Sequence, residues 1–275
     1  MKVTIVSKVS SAIVLAVALA VASLTAQAQV ISWSEDVWGF SGTTGGNGLP
    51  VNLPAGVVLA YNWNDTWQEN YNNVQSTGVT VNNLYDNSGA ATAASITYAA
   101  DNGADHVSYT IGADADGSHN REMLNGYLNS GPATWGPPIT YSYTTFNAIP
   151  YSSYNVYVYF GSDTAARPGT VTDGTTTYDF STLGQAAISG ANALFTQTTD
   201  TTGANPAADY AIFTGETASS LTITCTPTDL SPTDAEWLGI SAIQIVAVPE
   251  PGTLAMAALG GIGMLVFGRR FKARR

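Results

Sequence analysis

Alternation of apolar and polar positions dominates the middle of the chain. Ile96 and Tyr98 share one side of a short run, and Val107, Tyr109 and Ile111 share one side of the next. Tyr178 with Phe180, Tyr210 with Ile212, and Leu221 with Ile223 and Cys225 repeat the two-residue period, and Ile240 to Val246 closes the series. That period puts every second side chain on one face of a strand. Tyr154 to Phe160 is apolar on both faces, with Val156, Val158 and Phe160 against Tyr157 and Tyr159, and predicts a central strand of a sandwich. Turn signals separate the runs: Asp101-Asn102-Gly103, Asp116-Gly117, Gly136-Pro137-Pro138, Asp173-Gly174 and Gly203-Ala204-Asn205-Pro206. Helical periodicity is scarce. Asn120 to Asn129 predicts one short helix, and Leu183 to Phe195 is ambiguous between helix and loop. The pattern predicts an all-β domain over residues 29–248, an antiparallel β-sandwich or jelly roll.

The two ends follow a different pattern. Lys2 and Lys8 precede an apolar run from Ala12 to Leu24, and Ala26-Gln27-Ala28 follows it. A charged start, a short apolar stretch and a small-x-small site predict a secretory signal peptide over residues 1–28, cleaved after Ala28 to leave Gln29 first. At the other end, Pro249-Glu250-Pro251 leads into an apolar stretch from Gly252 to Gly268, then Arg269, Arg270, Lys272, Arg274 and Arg275. As a helix that stretch is about 25 Å long, near the lower limit for crossing a bilayer. It predicts a single C-terminal transmembrane helix whose basic cluster stays cytoplasmic, so the preceding domain faces outward.

This tail resembles the PEP-CTERM sorting signal: a Pro-Glu-Pro motif, a short glycine-bearing hydrophobic helix and a terminal arginine cluster, in that order. The resemblance covers about 27 residues, 249–275. It implies export in a Gram-negative bacterium that makes extracellular polysaccharide, and processing by an integral membrane enzyme, exosortase. Pro249, Glu250 and Pro251 would then be a substrate site, with no catalytic role. The intervening domain loosely resembles the galactose-binding-like jelly roll, through Asn62-Trp63-Asn64, Leu84-Tyr85-Asp86-Asn87-Ser88-Gly89, Met123-Leu124-Asn125-Gly126-Tyr127, Tyr154 to Phe160 and Gly239 to Ile245. That likeness implies a fold and leaves activity open.

Charge sharpens the picture. Only 11% of the 275 residues are charged, less than half the usual share of about 25%. Residues 29–248 hold two basic residues, Arg121 and Arg167, against 19 acidic ones, a net charge of −17. Such a surface repels nucleic acid and anionic lipid. One cysteine, Cys225, excludes an intrachain disulfide. It shares a strand face with Leu221 and Ile223 and reads as a small buried apolar residue.

Three sets of residues carry candidate chemistry. Asp114-Ala115-Asp116-Gly117 alternates carboxylates before a glycine, which suits calcium; the EF-hand pattern fails at His119 and Asn125, and a solvated acidic turn explains the same residues. Trp63 and Trp67, flanked by Asn62, Asn64, Asp65, Gln68 and Asn70, form the most sugar-like neighbourhood among the six tryptophans, although ordinary core packing accounts for most tryptophans. His106 with Asp105, and His119 with Asp116 or Glu122, are the available charged dyads. No nucleophile elbow, phosphate loop or metalloprotease helix is present. We therefore expect an exported, non-enzymatic protein of the cell surface or extracellular matrix, structural or adhesive in role. It would pass through an inner-membrane precursor with an exosortase-type enzyme as partner. A carbohydrate-binding module engaging extracellular polysaccharide is the second reading and a glycoside hydrolase the third.

Overall fold

The computed structural model describes residues 29–35, 50–66, 78–100, 103–108, 111–131, 140–230 and 237–249. All but the last two lie in one compact unit, Gln29–Ala247. The strands in chain order are β1 (Val30–Ser34), β2 (Pro50–Val51), β3 (Trp63–Asp65), β4 (Val79–Val81), β5 (Ser95–Ala99), β6 (Ala104–His106) and β7 (Gly126–Leu128). There follow β8 (Ser142–Asn147), β9 (Tyr154–Gly161), β10 (Pro168–Thr172), β11 (Thr177–Thr182), β12 (Ala207–Ala208), β13 (Tyr210–Glu216), β14 (Leu221–Pro227) and β15 (Gly239–Ala247). One helical turn, α1 (Asn120–Met123), and a 3₁₀ turn at Gly184–Ala187 complete the described elements.

Two sheets form the sandwich. One runs β13-β9-β15-β1-β3-β2 and the other β12-β11-β10-β14-β8-β5-β4. Their facing sides contribute Ile31, Val156, Val158, Ile243 and Ile245 from one sheet and Ile96, Phe146, Val171, Ile223 and Cys225 from the other, all buried in one cluster. Aromatic pairs bridge the layers. Phe160 stacks on Phe180 with ring centroids 3.7 Å apart, Trp33 meets Tyr98 at 5.2 Å and Tyr178 meets Phe213 at 5.2 Å. The two-residue period of the sequence thus marks the faces correctly at β5, β11 and β14. Burial raises the Cys225 thiol far above its ordinary pKa, leaving it neutral.

The pairing departs from a purely antiparallel sandwich. β1 runs parallel to β3, and β11 parallel to β12. The segment between β1 and β3 is long enough for the crossover that parallel pairing needs. The structure also corrects three local expectations. The predicted strand Val107–Ile111 is displaced to Ala104–His106, because the Val107 and Ser108 amides turn to Asn125, its carbonyl and its side chain respectively; Tyr109 lies outside the described residues. The helix expected over Asn120–Asn129 stops at Met123, and Gly126–Leu128 pairs with β6 instead. Of Leu183–Phe195, only Gly184–Ala187 is helical.

A further layer covers the outer side of the six-stranded sheet. Val107, Met123, Leu124, Tyr127, Ala187 and Ile188 pack there against Trp63, Tyr159 and Ala242. This layer explains why β9 is apolar on both faces. It is pinned by a buried polar network: the Tyr159 hydroxyl donates to Gln244 Oε1 at 2.6 Å and accepts from the Val57 amide at 2.8 Å. Gln244 Nε2 donates to Val58 O at 2.7 Å. Gly56, at φ +96°, passes so close that a Cβ would collide with the Gln244 carboxamide.

The outer side of the seven-stranded sheet is different. Register aligns Thr80, Thr97, Thr145 and Thr222 in one row across four adjacent strands. A second row places Tyr143, Thr224, Thr172 and Thr177 side by side. These side chains are exposed or half-buried.

The Tyr159 network yields a first expectation. Tyr159→Phe leaves the Val57 amide and Gln244 Oε1 without their partner. The cost of such orphaned groups is about 1–3 kcal/mol, or several degrees of melting temperature for a domain of this size. Thermal unfolding followed by near-ultraviolet circular dichroism measures it, and an unchanged midpoint would refute the role given to the hydroxyl.

Candidate functional site

The β6–β7 hairpin sets Asp105 opposite Tyr127. Asp105 Oδ1 accepts the His106 amide at 2.8 Å and lies 3.3 Å from His106 Nδ1, while Oδ2 accepts from Asn129 Nδ2 at 3.2 Å. Burial raises the Asp105 pKa, and hydrogen bonding and the imidazole of His106 work against it. Burial, then the charges of Asp105 and Asp163, hold the Tyr127 phenol well above its ordinary range. Beside the hairpin, Arg167 Nη1 donates to Asp163 Oδ1 at 2.8 Å, Ser162 Oγ at 3.0 Å and Trp237 O at 2.6 Å. Its Nη2 donates to Thr164 Oγ1 at 3.1 Å. One of the domain's two cations thus closes the 162–167 turn onto the start of the last strand. The Asp105–His106 dyad expected from adjacency is formed.

The second dyad is formed as well: His119 Nδ1 is hydrogen-bonded to Glu122 Oε2 across the first turn of α1. Asp114, four per cent exposed, turns inward. Its Oδ2 accepts the Arg121 amide at 2.9 Å and its Oδ1 the Ala193 amide. Asp116 is exposed, and its carboxylate accepts the Ser118 amide at 2.9 Å, which lowers its pKa. The turn therefore sends the two carboxylates to different tasks, one tying Ala193 to α1 and one capping its own bend. Among the described residues no three His, Cys, Asp or Glu side chains gather into a metal-binding set. Asp101 lies outside the described residues.

Trp63 is fully buried in the second core, and its indole N–H donates to Ala60 O at 3.1 Å. It has no exposed face on which a sugar ring could stack. Trp67, Ala26 and Ala28 of the expected signal-cleavage site, Glu250, Pro251 and the basic cluster Arg269, Arg270, Lys272, Arg274 and Arg275 lie outside the described residues, as does the apolar stretch 252–268. Among the described residues no helix is long and apolar enough to cross a membrane. Pro249 is exposed just beyond β15. The Ala247 amide, at the end of that strand, donates to Gln29 O at 2.9 Å, so the first and last described strands leave the domain side by side.

One perturbed group has no counterpart among the expectations. Asp209 is two per cent exposed. Burial pushes its carboxyl up to about 7, although the Thr196 amide donates to Oδ1 at 2.7 Å. It precedes Tyr210, which packs with Tyr159 and Phe195 at centroid separations of 6.0 and 6.2 Å. A carboxylate embedded in the run Ala207-Ala208-Asp209-Tyr210-Ala211 was the available signal. Among the described residues no second carboxyl is hydrogen-bonded to it, so the group reads as a buried acid within an aromatic wall.

Residues 247–275 match the family model of the PEP-CTERM protein-sorting motif. The chain carries that motif and is an exported protein sorted through its C-terminus. No curated protein and no solved structure matches the chain.

Asp209 makes stability depend on pH. The native carboxyl keeps its proton up to about pH 7, whereas in the unfolded chain it ionises near 3.9. Between those values the native state binds more protons, so this group's contribution to stability falls as pH rises from about 4 to 7. Asp209→Asn, which mimics the protonated form, should match wild type in urea midpoint at about pH 3.5, below the unfolded-state pKa, and exceed it at pH 8. A constant difference between the two pH values would refute the assignment.

Proposed function

We propose that the chain is delivered by its tail to an exosortase-type membrane enzyme, and that its β-domain then serves outside the cell as a structural or adhesive, non-catalytic module. The carrying observation is the sorting motif at residues 247–275, which begins on the last residue of β15. Pro249 and Pro251 carry no backbone N–H and disfavour helix at the residue before each, a sequence suited to entering a processing site. The apolar stretch 252–268 serves as a transient, barely sufficient anchor, and Arg269, Arg270, Lys272, Arg274 and Arg275 hold it against the cytoplasmic side. The N-terminal 28 residues act as the signal peptide that starts export. The non-catalytic reading is supported by the internal use of the polar clusters: Arg167, Asp105 and Asp114 all spend their hydrogen bonds on neighbouring chain.

Changing Pro249, Glu250 and Pro251 together to alanine should trap full-length protein in the inner membrane of an exosortase-bearing host. Deleting 249–275 should instead release uncleaved domain. Immunoblots of membrane and released fractions report both outcomes. Wild-type maturation of the triple-alanine chain would overturn the assignment.

A further inference from the structure

The outer face of the seven-stranded sheet is chemically unlike the rest of the domain. In a segment with a net charge of −17, its first row is Thr80, Thr97, Thr145 and Thr222, and its second continues through Tyr143, Thr224 and Thr172. These two rows contain no acid or base; Asp179, paired with Thr170, stands at the margin of the next. Strand spacing of about 4.8 Å makes the four-threonine row about 14 Å long. Its hydroxyls already associate in pairs, Thr80 with Thr97 at 2.8 Å and Thr145 with Thr222 at 2.9 Å. Each pair retains one O–H donor and several lone pairs. Beside the rows, the Tyr143 ring lies 6.2 Å from that of Tyr141, which is 37% exposed.

We propose that this face is a docking surface for a neutral, extended polysaccharide chain. Three properties select that partner. An uncharged strip on a strongly acidic domain carries no carboxylate to attract a cation, and an uncharged polymer laid along these two rows desolvates no carboxylate. Hydroxyls that both donate and accept match a polymer whose own groups are hydroxyls. Threonine methyls and the Tyr141–Tyr143 rings supply apolar contact for the C–H face of a pyranose. The assignment rests on the reading that the domain works outside the cell, and it moves sugar contact from the buried Trp63 to the opposite sheet.

Affinity electrophoresis of the mature released protein through gels containing cellulose derivatives, xylan or galactomannan tests it, with alginate as the acidic comparison. Retardation is expected with at least one neutral polymer, insensitive to salt, and absent with alginate. Thr145→Lys with Thr222→Lys should weaken it by about tenfold or more, since each ammonium would be desolvated without a partner. Tyr141→Ala, outside any strand, should weaken it by about threefold to tenfold. Circular dichroism verifies that the variants remain folded. No retardation by any neutral polymer overturns the proposal, as does retardation unchanged in both folded variants. Wild-type dimers that the lysine variants dissociate would also overturn it, by identifying a second copy as the occupant. Because all variants retain residues 247–275, release from the membrane continues in each case and the sorting assignment stands or falls separately.

Discussion

Strand β9 presents apolar side chains to both sides, and the domain is arranged to remove both from water. Val156, Val158 and Phe160 face the seven-stranded sheet, where Phe160 meets Phe180. Tyr159 faces the other way, onto the layer formed by the β6–β7 hairpin, α1 and the 3₁₀ turn. At roughly 25 cal/mol per Å², neither side could be left exposed. The outer layer exists to meet that requirement, and the Tyr159–Gln244 pair converts a greasy contact into one with a defined position, because each partner would otherwise be a buried unsatisfied group.

Much of this architecture is legible in sequence. Alternation identified the inner faces of β5, β11 and β14, and the double-sided run Tyr154 to Phe160 identified the central strand, because side-chain period reports burial directly. Local boundaries were less visible. Val107 is apolar for its place in the outer layer, so it mimicked a strand position it does not occupy. Tyr127 and Leu128 carry strand propensity next to a helical turn, and the partner that decides between the two states, Ala104–His106, lies some twenty residues away. The parallel pairs β1·β3 and β11·β12 depend on contacts that no local pattern records.

Candidate chemistry divides similarly. Both histidine dyads were readable, since residues one or three apart are held together by local geometry. The fate of Asp114 was not, because the amide of Ala193 reaches it from across the domain. Composition singled out the tryptophans for sugar contact, yet Trp63 belongs to the core. The threonine rows emerged only from register. In sequence those residues are scattered between positions 80 and 224; strand pairing assembles them, because every partner in a register shares a face.

The position of β15 has a consequence for export. The last described strand lies between β9 and β1, in the interior of its sheet, and its final amide bonds to the carbonyl of Gln29. A chain emerging N-terminus first therefore has a gap in that sheet until its final segment arrives. The six-stranded sheet can close only when Gly239–Ala247 is present, so completing the fold couples the two ends of the described domain.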